Sequence, residues 1–157
     1  MKGVLMEVKQ HGIYILKDSY YKTFDTGKMM DNKQQNRPHY LAIEMDGVFW
    51  MIPLSSKVGK YSAKIQEAEK SGRECLYYHI GKIAGKDSAF LIADMIPISP
   101  KHICREYTIS GVPYIVKDKD LNRKILKKAK RYLLLVRQNR IKPHVDILKI
   151  ERALTKR

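Results

Sequence analysis

The chain has 157 residues, 44% of them hydrophobic, with 31 Lys and Arg against 16 Asp and Glu and a formal net charge of +15. That length and apolar fraction exclude a wholly disordered chain and suffice for a core without disulfide staples, while uncharged apolar runs far short of the ~20 residues of a bilayer span exclude a membrane helix. The charge points to a polyanionic partner, and it is uneven: residues 1–100 carry 14 basic and 11 acidic side chains, a net of +3, and residues 101–157 carry 17 and 5, a net of +12.

In chain order, Gly12 to Lys17 is β-branched and aromatic and predicts a strand, with another ahead of it at Val4–Val8. Glu7 stands where a signal peptide needs apolar residues. Ser19 to Arg37 is polar and reads as a long loop, of the kind that is more often functional than decorative. Tyr40–Met45 and Val48–Pro53 flank Asp46-Gly47, the strongest short-range hairpin signal, and Trp50 inside this hairpin is expected in the core. Ser62 to Lys70 predicts a short helix capped by Ser62 and stopped near Gly72. Cys75–Ile80 and Ala89–Met95 predict two strands around a loop over residues 81–87. Asp94 reads as a structural turn carboxylate. Tyr107–Ile109 and Tyr114–Val116 flank Ser110-Gly111 as a small hairpin. From Asp118, the residues Leu121, Ile125, Ala129, Tyr132 or Leu133, and Val136 share one face of a long basic helix. Pro143 suits the first turn of a last helix, whose stripe is Ile147, Ile150 and Leu154.

The expectation is one α+β domain over residues 1–157: a twisted antiparallel sheet or partly open barrel over 1–117, then helices over 118–157.

Several chemistries are missing. Gly59-Lys60 follows a strand, but a phosphate loop also needs Gly five residues before Gly59 and Ser or Thr after Lys60, where Leu54 and Tyr61 stand. The histidines at 11, 39, 79, 102 and 144 share no ligand spacing, and the carboxylates are scattered. No metal and no cofactor is therefore expected. Cys75 and Cys104 have neither metal nor redox spacing, which fits a reducing cytoplasm.

What remains is Ile52 to Lys60, where Ser55, Ser56, Lys57 and Lys60 leave the end of a buried strand together. They form either an ordinary turn with solvated lysines or a phosphate-handling site, with hydroxyls on the non-bridging oxygens and a lysine on the developing charge. RNA cleavage suits such equipment, because the 2′-hydroxyl is a built-in nucleophile. Antiparallel pairing returns these residues toward Arg37 and His39. Arg37 is either a bidentate phosphate grip or half of a surface ion pair, and His39 is either an acid–base group or an ordinary hydrogen-bonded edge residue. Lys124, Lys127, Lys128 and Arg131 are either a track for an RNA backbone or a solvated helix face. Tyr20, Tyr21, Tyr77 and Tyr78 either stack bases or pack half-buried.

Residues Tyr40 to Lys57 (Tyr-Leu-Ala-Ile-Glu-Met-Asp-Gly-Val-Phe-Trp-Met-Ile-Pro-Leu-Ser-Ser-Lys) resemble the hairpin of the type III toxin–antitoxin endoribonucleases, the ToxN/AbiQ/CptN group, most nearly its CptN branch. Ala93-Asp-Met-Ile-Pro-Ile98 is similar to that family's Asn-Met-Ile-Pro-Val block, and Arg37-Pro38 to its Arg-Pro ahead of the first strand. The matches run in order across roughly residues 35–100. The resemblance implies a MazF-like sheet or barrel and metal-independent RNA cleavage leaving a 2′,3′-cyclic phosphate, in an abortive-infection phage-defence role. It also implies inhibition by a small repeated pseudoknot RNA in a closed protein–RNA hetero-oligomer. Ser55 and Ser56 match the paired active-site hydroxyls, and Lys57 or Lys60 the nearby lysine. In the family Pro often follows the second hydroxyl and Lys comes next, whereas here Lys57 follows directly and Val58 takes the later place. For the family's basic residue ahead of the first strand, Lys33, Asn36 and Arg37 are all eligible, and Lys33 and Asn36 are expected RNA contacts. The competing reading is a non-catalytic basic RNA-binding module, ribosome-associated or phage-encoded.

Overall fold

A computed structural model describes residues 7–156. β1 (Ile13–Leu16) lies within the expected first strand, but Glu7 to Lys9 has no regular structure and the rest of the expected Val4–Val8 strand lies outside the described residues. α1 (Asp18–Phe24) occupies the start of the segment expected to be loop. Seven residues hold no helix on local propensity; this one forms because Tyr20 is fully buried and donates from its hydroxyl to the Pro97 carbonyl at 2.7 Å.

β2 (Pro38–Met45) and β3 (Val48–Ser55) form the expected hairpin, turning at Asp46 and Gly47 with φ of 54° and 79°. Two left-handed residues match the turn's twist to that of the strands. All eight residues of β3 are buried, Trp50 among them, because this strand has sheet neighbours on both sides and covered faces. α2 (Val58–Glu69) begins four residues earlier than predicted. Ser62 is therefore not its cap, and the chain passes from β3 into helix with only Ser56 and Lys57 between. Tyr61 anchors it on Ala89 and Leu91.

β4 (Tyr78–Ile83) and β5 (Lys86–Leu91) turn at Ala84 and Gly85, both at positive φ, so most of the expected 81–87 loop is strand. A one-turn 3-10 helix (Ile92–Asp94) carries Asp94, and β6 (Ile96–Ile98) and β7 (Ile103–Glu106) follow, neither legible as a strand in the sequence. β8 (Thr108–Ile109) and β9 (Val112–Pro113) make a small hairpin, whose second strand lies just ahead of the expected Tyr114–Val116. α3 (Lys119–Arg137) is capped by the Asp118 carboxylate, which accepts from the amides of Asp120 and Leu121, and it buries the predicted stripe from Leu121 to Val136. α4 (Ile147–Thr155) starts at an Asp146 cap, so Pro143 lies before the helix and not in its first turn. Arg137 clamps the two helices through a bidentate pair with Glu151, 2.8 Å at each oxygen.

Every strand pair is antiparallel, in the order β4-β5-β3-β2-β1-β7, with β6 beside the first half of β3. Among the described residues β4 and β7 end that path unpaired with each other, and the sheet does not close into a barrel. α3 packs against β2 and α4 against β6. Among the described residues no helix is long and apolar enough to cross a membrane.

Candidate functional site

The strand order creates a notch. β3 ends at Ser55 and the chain leaves the sheet into α2, while both neighbours extend past that point. On one side His39 is opposite Pro53, which sets Arg37 level with Ser55, so residues 33–36, ahead of β2, run beyond the end of β3. On the other side Ser55 is opposite Ala89, so Lys86, Asp87 and Ser88 run beyond it too. The resulting cleft of about 270 Å³ has Leu54, Ser55 and Ser56 as its floor, Lys33, Asn36 and Pro38 as one wall, and Ile83, Lys86, Asp87 and Ser88 as the other. Tyr107, from between β7 and β8, closes one end.

The Ser55 hydroxyl oxygen accepts the Lys57 amide at 3.2 Å. That leaves its proton to be given to a ligand. Ser56 is exposed at the mouth.

The wall ahead of β2 is built under strain. Lys33, Gln34 and Gln35 have consecutive φ values of 51°, 58° and 62°, at a cost of about 1–2 kcal/mol per residue. Hydrogen bonds over-determine this left-handed turn. The Asn32 carbonyl accepts the amides of Asn36 and Arg37, both at 3.0 Å. The Gln35 side chain accepts the Asp18 amide at 2.8 Å. Arg105 donates to the Asn36 side-chain oxygen at 2.9 Å. Strain held in this way clusters at functional sites.

The structure separates the sequence candidates. Lys33, Asn36, Ser55 and Ser56 meet in the notch. Arg37 is neither a surface ion pair nor an open phosphate grip: it is 4% exposed and donates to the Leu54 carbonyl at 2.8 Å and to the Asp31 carbonyl. It ties the strained turn to the end of β3, as a brace between wall and floor. His39 is corrected from an acid–base candidate to a core residue. It has no exposed surface, its Nδ1 is 2.9 Å from the Arg37 carbonyl, and its Nε2 is 2.9 Å from the Tyr21 hydroxyl. A carbonyl only accepts, so Nδ1 carries the proton and Tyr21 donates to Nε2. Burial, with a contribution from Arg37, pushes the His39 pKa down to about 3. Lys57 and Lys60 are exposed at the start of α2 and do not line the notch; Lys60 sits 5.3 Å from the centre of the Tyr61 ring.

Tyr20 is fully buried, which corrects it as a base-stacking candidate, while Tyr21 is half-buried with its hydroxyl bonded to His39. Asp94 is half-buried, and desolvation raises its pKa against the pull of His144, Arg37 and Lys60. The notch residues that sequence reading missed are Lys86, Ser88 and Tyr107. Recognising Ala84-Gly85 as a hairpin turn was the one available signal for the first two.

A second basic feature lies along α3. A groove of about 870 Å³ is lined by Arg73, Lys127, Lys128, Lys130, Arg131 and Arg140, with Glu74 as the one acidic member. Lys128 is a correction. It is 7% exposed, with its Nζ 3.0 Å from His79 Nδ1, so it belongs to the groove floor and not to the exposed face. Desolvation, then Lys128 and Lys124, holds the His79 pKa down at about 4. Lys124 is exposed but outside the groove, paired with Asp120 at 3.0 Å. Among the described residues, no group of three His, Cys, Asp or Glu side chains is placed to hold a metal ion.

No family model and no curated protein matches this sequence. Among solved structures, the chain matches one described as "A processed non-coding RNA regulates a bacterial antiviral system", with a TM-score of 0.59 and 15% identity over 90% of this chain and 95% of that one. At that identity the likeness establishes the fold: the open antiparallel sheet with its flanking helices is one already seen in that structure.

Proposed function

We propose that the protein is the toxin of a type III toxin–antitoxin system, a metal-independent endoribonuclease of the cytoplasm neutralised by a small repeated RNA. The observation that carries this reading is the notch, with two hydroxyls, a side-chain amide and unneutralised lysine converging where β3 ends. The fold shared with a structure of an antiviral system regulated by a processed non-coding RNA, and the hairpin and Ala93–Ile98 resemblances, support it.

In the proposed reaction the 2′-hydroxyl oxygen bonds to the adjacent phosphorus and the bond from phosphorus to the 5′-oxygen breaks. Solvent water takes the proton that the 2′-hydroxyl gives up and supplies the proton that the 5′-oxygen receives. The products are a 2′,3′-cyclic phosphate and a 5′-hydroxyl. Ser55 and Ser56 hold the non-bridging oxygens, Asn36 orients the neighbouring nucleotide, and Lys33 opposes the charge that grows on phosphorane formation. Arg37 keeps Lys33 and Asn36 over the serines. Lys57 and Lys60 add positive potential for flanking phosphates. No histidine lines the notch, so electrostatic stabilisation and alignment carry the acceleration. The α3 groove, through Arg73, Lys127, Lys130 and Arg131, is the docking surface for the inhibitory RNA, since closely spaced cations follow a phosphate backbone.

Purified protein incubated with a defined RNA in EDTA tests this. Fragments ending in a 2′,3′-cyclic phosphate, lost in the Ser55→Ala, Ser56→Ala double variant, are expected. Binding without cutting overturns the reading in favour of a non-catalytic RNA-binding module.

A further inference from the structure

The wall formed by β5 holds a lysine that the sequence argument did not consider. Lys86 opens β5, opposite Ile83 and three residues before Ala89, which faces Ser55. It therefore stands about 10 Å along the strand beyond the last residue of β3, across the notch from Lys33. Asp87, among the described residues the one carboxylate lining the cleft, is held 3.1 Å from Lys82 by a cross-strand ion pair. Among the described residues neither Lys86 nor Lys33 lies within 4.0 Å of a carboxylate oxygen. Two uncompensated ammonium groups thus face one small cleft from opposite walls, over hydroxyl donors.

We propose that Lys86 binds the substrate phosphate from the β5 side, as the partner of Lys33 on the β2 side. This rests on the RNA-cleaving reading above and assigns it a second cation. The cyclising phosphorane spreads its extra charge over two non-bridging oxygens, both equatorial, that diverge from phosphorus. A cation on one wall serves one of them; two walls serve both and fix the phosphate across the notch. Lys57 and Lys60 sit outside the lining, so the chain's departure from the Ser-Ser-Pro-Lys pattern is met by a lysine from another strand. The substrate this geometry fits is a single-stranded RNA phosphodiester, with Tyr107 as the aromatic face beside it.

The experiment compares single-turnover cleavage of a short RNA by the wild type, Lys86→Ala, Lys86→Arg and Lys64→Ala. Lys64 is exposed on α2, away from the cleft, and controls for the loss of one positive charge. The expected loss for Lys86→Ala is on the order of 10²-fold in rate, with an unchanged thermal unfolding curve. Lys86→Arg restores most of it, and Lys64→Ala stays at the wild-type rate. A wild type that cuts and a Lys86→Ala that cuts equally fast overturns the assignment while leaving the cleavage reading intact. A wild type that cuts no RNA overturns the cleavage reading instead, and binding then decides for Lys86. Reductively methylated protein is titrated with a 2′-O-methyl dinucleotide. Methyl signals of Lys33 and Lys86 that move together support the clamp, and a Lys86 signal that stays still refutes it.

Discussion

Acidifying the solution from pH 7 to pH 5 perturbs one group whose surroundings are fully specified, His39. An unfolded imidazole takes a proton near pH 6.5, whereas the folded one, sealed in the core between Tyr21 and the Arg37 carbonyl, does so only near 3. Between those values the unfolded chain holds the extra proton, so acid favours unfolding: the stability is complete above about pH 6.5 and is lost as the pH falls toward 3. At pH 5 the linkage amounts to about 2 kcal/mol, out of the 5–15 kcal/mol or so typical of a domain. Urea titrations at both pH values measure it, and with m near 2 kcal/mol/M the midpoint drops by about 1 M. The neutral His79 pushes in the same direction, so the His39→Gln variant isolates the His39 share by losing less stability on acidification than the wild type. Equal losses in the two proteins refute the burial argument. A second reading comes from cleavage: with His39 locked neutral, kcat/KM has no limb at pKa 6–7, and an acid limb there that disappears in His39→Gln restores it as an acid–base group.

Two further outcomes test the frame around the site. A methyl group added at Gly81 would lie 2.6 and 2.8 Å from the Leu121 methyls and 3.2 Å from the Phe90 ring. Gly81→Ala should therefore destabilise by about 1–3 kcal/mol in chemical denaturation, with part of the loss recovered by adding Leu121→Ala; a neutral Gly81→Ala refutes the close seating of α3 on β4. In the α3 groove, Lys127→Gln with Arg131→Gln should weaken binding of a structured probe RNA and lower the slope of log K against log salt by about 1–2. An unchanged slope removes those two residues from the RNA contact.

How far the molecule was readable depends on how local each signal is. The β2–β3 hairpin follows from Asp46-Gly47 between apolar runs, and α3 follows from an Asp118 cap and a stripe with a 3.6-residue period; both are where the residues place them. α1 was not readable, because a seven-residue helix forms only once Tyr20 has a core to enter. β6 and β7 are too short to show a period, and they exist as strands because β3 and β1 offer them edges. At the site, the two serines were visible as hydroxyls at the end of an apolar run. The roles of Arg37 and His39 were not, since Arg-Pro-His reads as polar surface until Leu54, Asp31 and Tyr21 are brought to it.

The sequence alone determined the α+β class, the central hairpin, the long basic C-terminal helix, the uneven charge and the serine pair at the end of β3, because turn chemistry, periodicity and composition are properties of neighbouring residues. Tertiary structure alone decided which cations face that pair. β3 stops at Ser55 while β5 and the segment ahead of β2 run on, and this difference in strand length places Lys33 and Lys86 at the cleft and leaves Lys57 and Lys60 outside it. Register between strands distant in sequence sets that arrangement, and pairing at that range leaves no mark on the residues beside each lysine.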